Sequence, residues 1–121
     1  MENKKTLVIG ASTNPVRYSH MAVHQLRAHN HEVLGLARRK GEVADIEIQT
    51  DFPKHKNIHT VTLYVGPKHQ PEYYEPVLKL QPKRVIFNPG TENDEFNRKL
   101  TEAGIEAIEA CTLVMLSTGQ Y

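Results

Sequence analysis

The sequence predicts an α/β fold, a doubly wound, mostly parallel five-stranded sheet with helices on both faces. Three observations point to it. Short apolar runs alternate about five times with longer amphipathic ones along the 121 residues. Several of the short runs are apolar at nearly every position, as strands covered on both faces are. The runs stop at Gly, Pro or Asn, which break regular structure. Such alternation in a short chain implies parallel strands joined by right-handed crossovers. Because a domain takes ~100–200 residues, the length predicts one domain over residues 1–121.

Thr6-Leu7-Val8-Ile9 reads as a first, central strand ending at Gly10. From Tyr18 to about His29 the period becomes helical, with Ser19, Ala22, Val23 and Leu26 on one face and His20, His24 and Arg27 on the other. Glu32 to Leu36 is the second strand, followed directly by Arg38, Arg39, Lys40 and Gly41. Between Gly41 and Asn57 the pattern is least legible: Ile46 and Ile48 alternate with Glu47 and Gln49 as in a short exposed strand, and Asp51-Phe52-Pro53 marks a turn.

Thr60 to Val65 is rich in β-branched residues and stops at Gly66-Pro67. A helix follows from Glu72 to Leu80, in which Pro76 removes one hydrogen bond unless it lies in the first turn. Arg84 to Phe87 is the next strand, ending in Asn88-Pro89-Gly90. Asn93 can cap the following helix, with Asp94 and Glu95 in its first turn, Phe96, Leu100 and Ala103 as its buried stripe and Gly104 at its end. Ile105 to Glu109 gives the last strand, and Leu113 to Leu116 a short helix covering one edge.

The 15 basic and 14 acidic side chains nearly cancel, which argues against a protein held to nucleic acid or a membrane surface by broad positive charge. Cys111 is the sole cysteine, so neither an internal disulfide nor a closed Cys-based zinc site can form within the chain. A lone cysteine is more often a small buried hydrophobe than a reactive thiol. The N-terminal apolar stretch is too short for a signal-peptide core or a membrane span, which predicts a cytoplasmic protein.

In such sheets ligands bind at the carboxyl ends of the strands, where the chain order reverses. The first loop there, Gly10 to Ser19, joins a buried strand to a helix N-terminus, where free backbone N–H groups and the helix dipole favour phosphate. Gly10, Ala11 and Ser12 are small enough to admit a diphosphate, Thr13, Asn14 and Ser19 add neutral donors, and Arg17 can grip two oxygens. The alternative is that Gly10 makes a tight turn and the Ser, Thr and Asn residues are caps.

The dinucleotide fingerprint Gly-x-Gly-x-x-Gly is absent, because Ser12 and Pro15 stand at its later positions. After the second strand, where NAD enzymes carry an acid, the chain has Arg38, Arg39 and Lys40. Three cations suit a ribose that bears its own phosphate, as in NADP or coenzyme A; a solvated basic turn is the alternative. Gly66-Pro67 can wall an adenine or pantetheine pocket or be a plain turn, and Asn88-Pro89-Gly90 can bring N–H groups and an amide to a ligand or be a tight connection. His20 and His24 have the i, i+4 spacing of metal ligands but no Glu beside the first, so they read as a solvated face. His29, His31, His55, His59 and His69 form no readable cluster.

Gly10-Ala11-Ser12 with Pro15, Tyr18 and Ser19, then Phe87 to Asn93, then Ala110 to Met115 together resemble the small single-domain coenzyme A-binding proteins. Their fold is similar to the N-terminal domain of the succinyl-CoA synthetase α subunit, and the resemblance covers nearly the whole chain. It implies a coenzyme A diphosphate against Gly10 to Asn14 and Arg17, with the adenosine end over the second strand. That strand commonly finishes in Val-Asn-Pro-Lys in the family; here Leu36-Ala37-Arg38-Arg39 keeps a cation at Arg39 and loses Asn and Pro. The synthetases carry their phosphorylated histidine in a further domain, for which this chain has no room.

The expectation is therefore a module that binds coenzyme A or an acyl-CoA without catalysis of its own. The alternatives are the nucleotide domain of an NADP-dependent reductase, or a structural or regulatory homodimer with a relic pocket. Such a dimer could use an edge strand near Ile46 to Gln49 or the apolar C-terminal segment.

Overall fold

The computed structural model describes residues 2–54 and 57–121; His55, read above as unclustered, lies outside the described residues. The sheet strands are β1 (Thr6–Ile9), β2 (Val33–Leu36), β3 (Gly41–Val43), β4 (Ile46–Gln49), β5 (Thr60–Leu63), β6 (Arg84–Phe87) and β7 (Glu106–Glu109). The helices are α1 (Tyr18–Ala28), α2 (Pro71–Leu80), α3 (Asp94–Glu102) and α4 (Thr112–Ser117). The sheet has seven strands in the order β3-β4-β2-β1-β5-β6-β7, not five. All pairs are parallel except β3 with β4.

The additional strands form a hairpin at one edge. Val43 pairs with Ile46 across a tight turn in which Ala44 takes φ 54. Asp45 in that turn accepts two bonds from the Arg27 guanidinium, at 2.8 and 2.9 Å, and so ties the hairpin to α1. Three or four residues are too few for periodicity to separate a strand from a loop, which is why β3 gave no signal. Strand β4 is also interior to the sheet, flanked by β3 and β2, so Ile46 to Gln49 is not an edge available to a second chain.

Strand alternation divides the core in two. Leu7 and Ile9 of β1 join Val77 of α2 and Phe96 and Leu100 of α3 on one face. Val8 joins Val23 and Leu26 of α1 and Met115 and Leu116 of α4 on the other. Each buried side chain of this size contributes about 1.5–3 kcal/mol, so the continuous apolar runs of β1, β5 and β6 make the fold two-sided. Helix α4 packs on α1 and the sheet face rather than covering an edge.

Several boundaries differ from the sequence reading. Helix α2 begins at Pro71, which suits the first helical position, and Pro76 falls inside it and cannot donate the hydrogen bond due there. Asn93 caps α3 by accepting the Phe96 N–H at 3.2 Å, as expected, whereas Ala103 is an exposed C-cap and not part of the buried stripe. Strand β5 ends at Leu63, so Tyr64 and Val65 leave the sheet at its carboxyl edge. No helix among the described residues is long and apolar enough to cross a membrane.

Candidate functional site

The chain order reverses at β1, whose neighbours are β2 on one side and β5 on the other. A cleft of about 350 Å3 opens beside this switch point, at the carboxyl ends of β1, β5 and β6. The first loop forms one wall with Gly10, Ser12, Arg17, Tyr18 and Ser19; Tyr64 and Gly66, with Pro89 to Thr91, form the other.

Gly10 is required at the floor. Its φ is +94°, and a Cβ there would stand 3.0 Å from the carbonyl carbon and oxygen of Tyr64. The N–H groups of Gly10 and Ala11 both reach the Leu36 carbonyl, at 2.8 and 3.2 Å, which draws the loop onto the end of β2. Beyond Ala11 the loop supports itself: the Ser12 hydroxyl accepts the Asn14 N–H at 3.0 Å, and the Asn14 side-chain oxygen accepts the Val16 N–H at 3.1 Å. His20 from α1 donates through Nδ1 to the Ser12 carbonyl at 2.9 Å.

Among the described residues, the N–H groups of Ser12, Thr13, Tyr18 and Ser19 find no hydrogen-bond partner. Arg17 is the exposed N-cap of α1 and makes no capping bond with its side chain. The loop and the helix N-terminus thus present unpaired donors beside one cation, an arrangement suited to the oxygens of a diphosphate.

A family model described as a CoA binding domain matches residues 4–117. The chain belongs to the CoA-binding domain family. It is similar to an uncharacterized protein of known crystal structure, with TM-score 0.97, 46% identity and full coverage of both chains. A hypothetical protein from Pyrococcus horikoshii OT3 follows at TM-score 0.87 and 28% identity, covering 97% of this chain and 84% of that one. A conserved hypothetical protein from Pyrococcus furiosus gives TM-score 0.78 at 26% identity, covering 92% and 97%. No protein of curated function matches the chain.

In this CoA-binding domain the sequence-predicted residues fall into four groups, Asn88 alone forming the last. Gly10, Ser12, Arg17, Tyr18, Ser19, Gly66, Pro89 and Gly90 line the cleft together. Ala11 is buried against the sheet, Thr13 and Asn14 lie on the exposed outer turn of the loop, and Pro67 opens a short 3-10 helix beyond Gly66. Arg38, Arg39 and Lys40 are exposed and link β2 to β3 outside the cleft. Their loop still abuts the first one: it starts after Leu36, bonded to Gly10, and ends at Gly41, where a Cβ would stand 2.5 Å from Thr13 Cγ2. Arg38 lies 3.7 Å from Glu72, both side chains being exposed, so the pair is weak and readily exchanged for a ligand oxygen.

Asn88 does not line the cleft of this CoA-binding domain. Its amide is consumed beneath it, donating to Thr62 Oγ1 and the Leu63 carbonyl and accepting the Thr112 N–H. The turn after it is also self-satisfied, because Glu92 accepts the Gly90 N–H at 2.8 Å and the Asn88 carbonyl accepts that of Thr91 at 2.9 Å.

The sequence reading missed Tyr64, Thr91 and Gln70. Tyr64 lines the cleft, and burial pushes its hydroxyl well above the usual phenol range. Gln70 is fully buried and donates to the carbonyls of Val65 and Thr91, at 2.9 and 2.7 Å, so it fixes the spacing of two parts of the wall. An isolated Gln between His69 and Pro71 carries no motif that could announce this. His20 and His24 have ring centroids 4.8 Å apart, and no group of three metal-ligating side chains occurs among the described residues.

Proposed function

We propose that the chain is a stand-alone module that binds coenzyme A or an acyl-CoA, without catalysis of its own. The observation that carries this reading is the set of unpaired N–H groups at Ser12, Thr13, Tyr18 and Ser19 beside Arg17. Four donors and a guanidinium around a small glycine floor fit the diphosphate of coenzyme A. Family membership supports the same ligand.

In this reading Arg38, Arg39 and Lys40 meet the 3′-phosphate of the ribose, since their loop continues from the Leu36 carbonyl that anchors the phosphate loop. Tyr64 and Gly66, with Pro89 to Thr91, flank the pantetheine arm. A buried phenol whose proton is held this tightly suits packing rather than proton transfer near neutral pH.

The test is the thermal shift of the protein with coenzyme A and with its form lacking the 3′-phosphate. A larger shift with coenzyme A is expected. Equal shifts would remove the basic loop from the site, and no shift with either would overturn the proposal. Saturable binding of NADPH without binding of coenzyme A would favour the reductase reading instead.

A further inference from the structure

At the other end of the sheet a second hollow, of about 630 Å3, opens beside the amino ends of β1, β5 and β6 and the C-terminus of α2. Its walls carry Lys5, Lys79 and Lys83 with His59, Asn57 and Gln81; among the described residues no carboxylate lines it. Lys79 and Lys83 are exposed, and neither makes an ion pair among the described residues. Lys5 is partly offset by Glu32 at 3.2 Å.

The positive field here is local, because the whole chain carries a formal charge of only +1. It reaches His59, whose imidazole is held below its usual range first by burial and then by Arg84, Lys4 and Lys83, with Glu2 acting the other way. A helix C-terminus attracts cations, which accounts for Lys79 at the end of α2. It does not account for Lys83 and Lys5 facing the same hollow.

Two amide-bearing residues complete the wall of the hollow. Asn57 and Gln81 both take left-handed conformations, with φ 80° and 52°. Gln81 closes α2 at the position where glycine is the usual residue. Both residues line the hollow, and their side-chain amides are neutral hydrogen-bond donors.

We propose that this hollow is an anion site that takes a polyphosphate group, either free or carried by a small phosphorylated molecule. Lys79 and Lys83 supply the charge, and Asn57 and Gln81 supply amide donors. A concave site lined by several donors suits a compact anion better than a flat acidic protein surface. The site lies at the opposite ends of the strands from the coenzyme A cleft, so the two assignments stand or fall separately.

The test is a titration of the isotope-labelled full chain, followed by amide NMR shifts, with inorganic triphosphate in one arm and ATP in the other. Saturable shifts at Asn57, His59, Gln81 and Lys83 are expected in both arms. The paired substitutions Lys79→Gln and Lys83→Gln should weaken binding about tenfold or more, each removing one charge-assisted contact, and leave coenzyme A binding unchanged. Equal affinity in the two arms means that the phosphate chain alone is recognised, and tighter ATP binding means that the nucleoside adds to it; both support the site. Shifts confined to Gly10 to Ser19, shifts that never saturate, or an affinity untouched by the paired substitutions would overturn it.

Discussion

The side-chain oxygen of Asn88 accepts the backbone N–H of Thr112 at 2.9 Å, joining the end of β6 to the start of α4. The same amide donates to Thr62 Oγ1 at 2.6 Å and to the Leu63 carbonyl at 2.9 Å, and Thr62 and Thr112 share a hydroxyl contact at 2.8 Å. One buried side chain therefore couples β5, β6 and α4 directly below the cleft. Replacing Asn88 by Ala strands several buried polar groups and should cost about 3 kcal/mol. Urea unfolding measures it, and a loss below about 1 kcal/mol would show that the network is dispensable.

Two glycines near the first loop should respond differently to alanine. At Gly10 the new methyl meets the fixed backbone of Tyr64 and the residue must keep φ +94°, so Gly10→Ala should cost at least about 2 kcal/mol and weaken ligand binding. At Gly41 the methyl meets only the end of the exposed Thr13 side chain, which can rotate away. Gly41→Ala should stay within about 1 kcal/mol of the parent. Equal losses in thermal melts of the two variants would contradict this account.

The strongly apolar elements were legible in sequence because burial on both faces leaves an unbroken run, as in β1 and β6. The capped helix α3 was legible because Asn93 and Phe96 sit at cap and stripe positions. Strand β3 was not, since three residues with an exposed Glu42 hold no period. The loop from Gly10 to Ser19 could be placed at the carboxyl end of β1 from order alone: strand, small residues, helix. The opposite wall could not, because Tyr64 and Thr91 reach the cleft through where β5 and β6 end, and Asn88 turned inward toward Thr112. Sequence spacing does not encode that choice of direction.

Replacing Arg17 tests binding separately from stability. It is exposed, makes no side-chain cap, and sits at the positive end of the α1 dipole, where a cation gives the helix nothing. Arg17→Ala should therefore leave the unfolding free energy within about 0.5 kcal/mol of the parent. Loss of a charge-assisted bond to a phosphate should weaken coenzyme A binding about tenfold to a hundredfold, read by isothermal titration. An unchanged affinity would place the diphosphate elsewhere.

Stability should also depend on pH through His31. The ring is fully buried, its Nδ1 accepts the Lys4 backbone N–H at 2.9 Å, and Tyr121 lies against it with centroids 5.0 Å apart. Because Nδ1 is an acceptor, the neutral ring carries its proton on Nε2, and a second proton would have to displace the Lys4 bond. Burial above all, then the charges of His29, Lys4 and Arg84, hold its pKa below the ordinary value of 6.5. In the unfolded chain the same ring takes up a proton as pH falls through about 6.5, while the folded ring does not, so the unfolded state binds more protons there. Stability is thus complete above that pH and is lost as pH falls from it through the lower folded value. His59 acts in the same direction, again chiefly through burial. His31→Asn keeps an acceptor for Lys4 without a titrating group, so urea midpoints at pH 7.5 and 5.5 should converge partly in this variant, with His59 supplying what dependence remains. An identical acid loss in the parent and the variant would assign the effect to other groups.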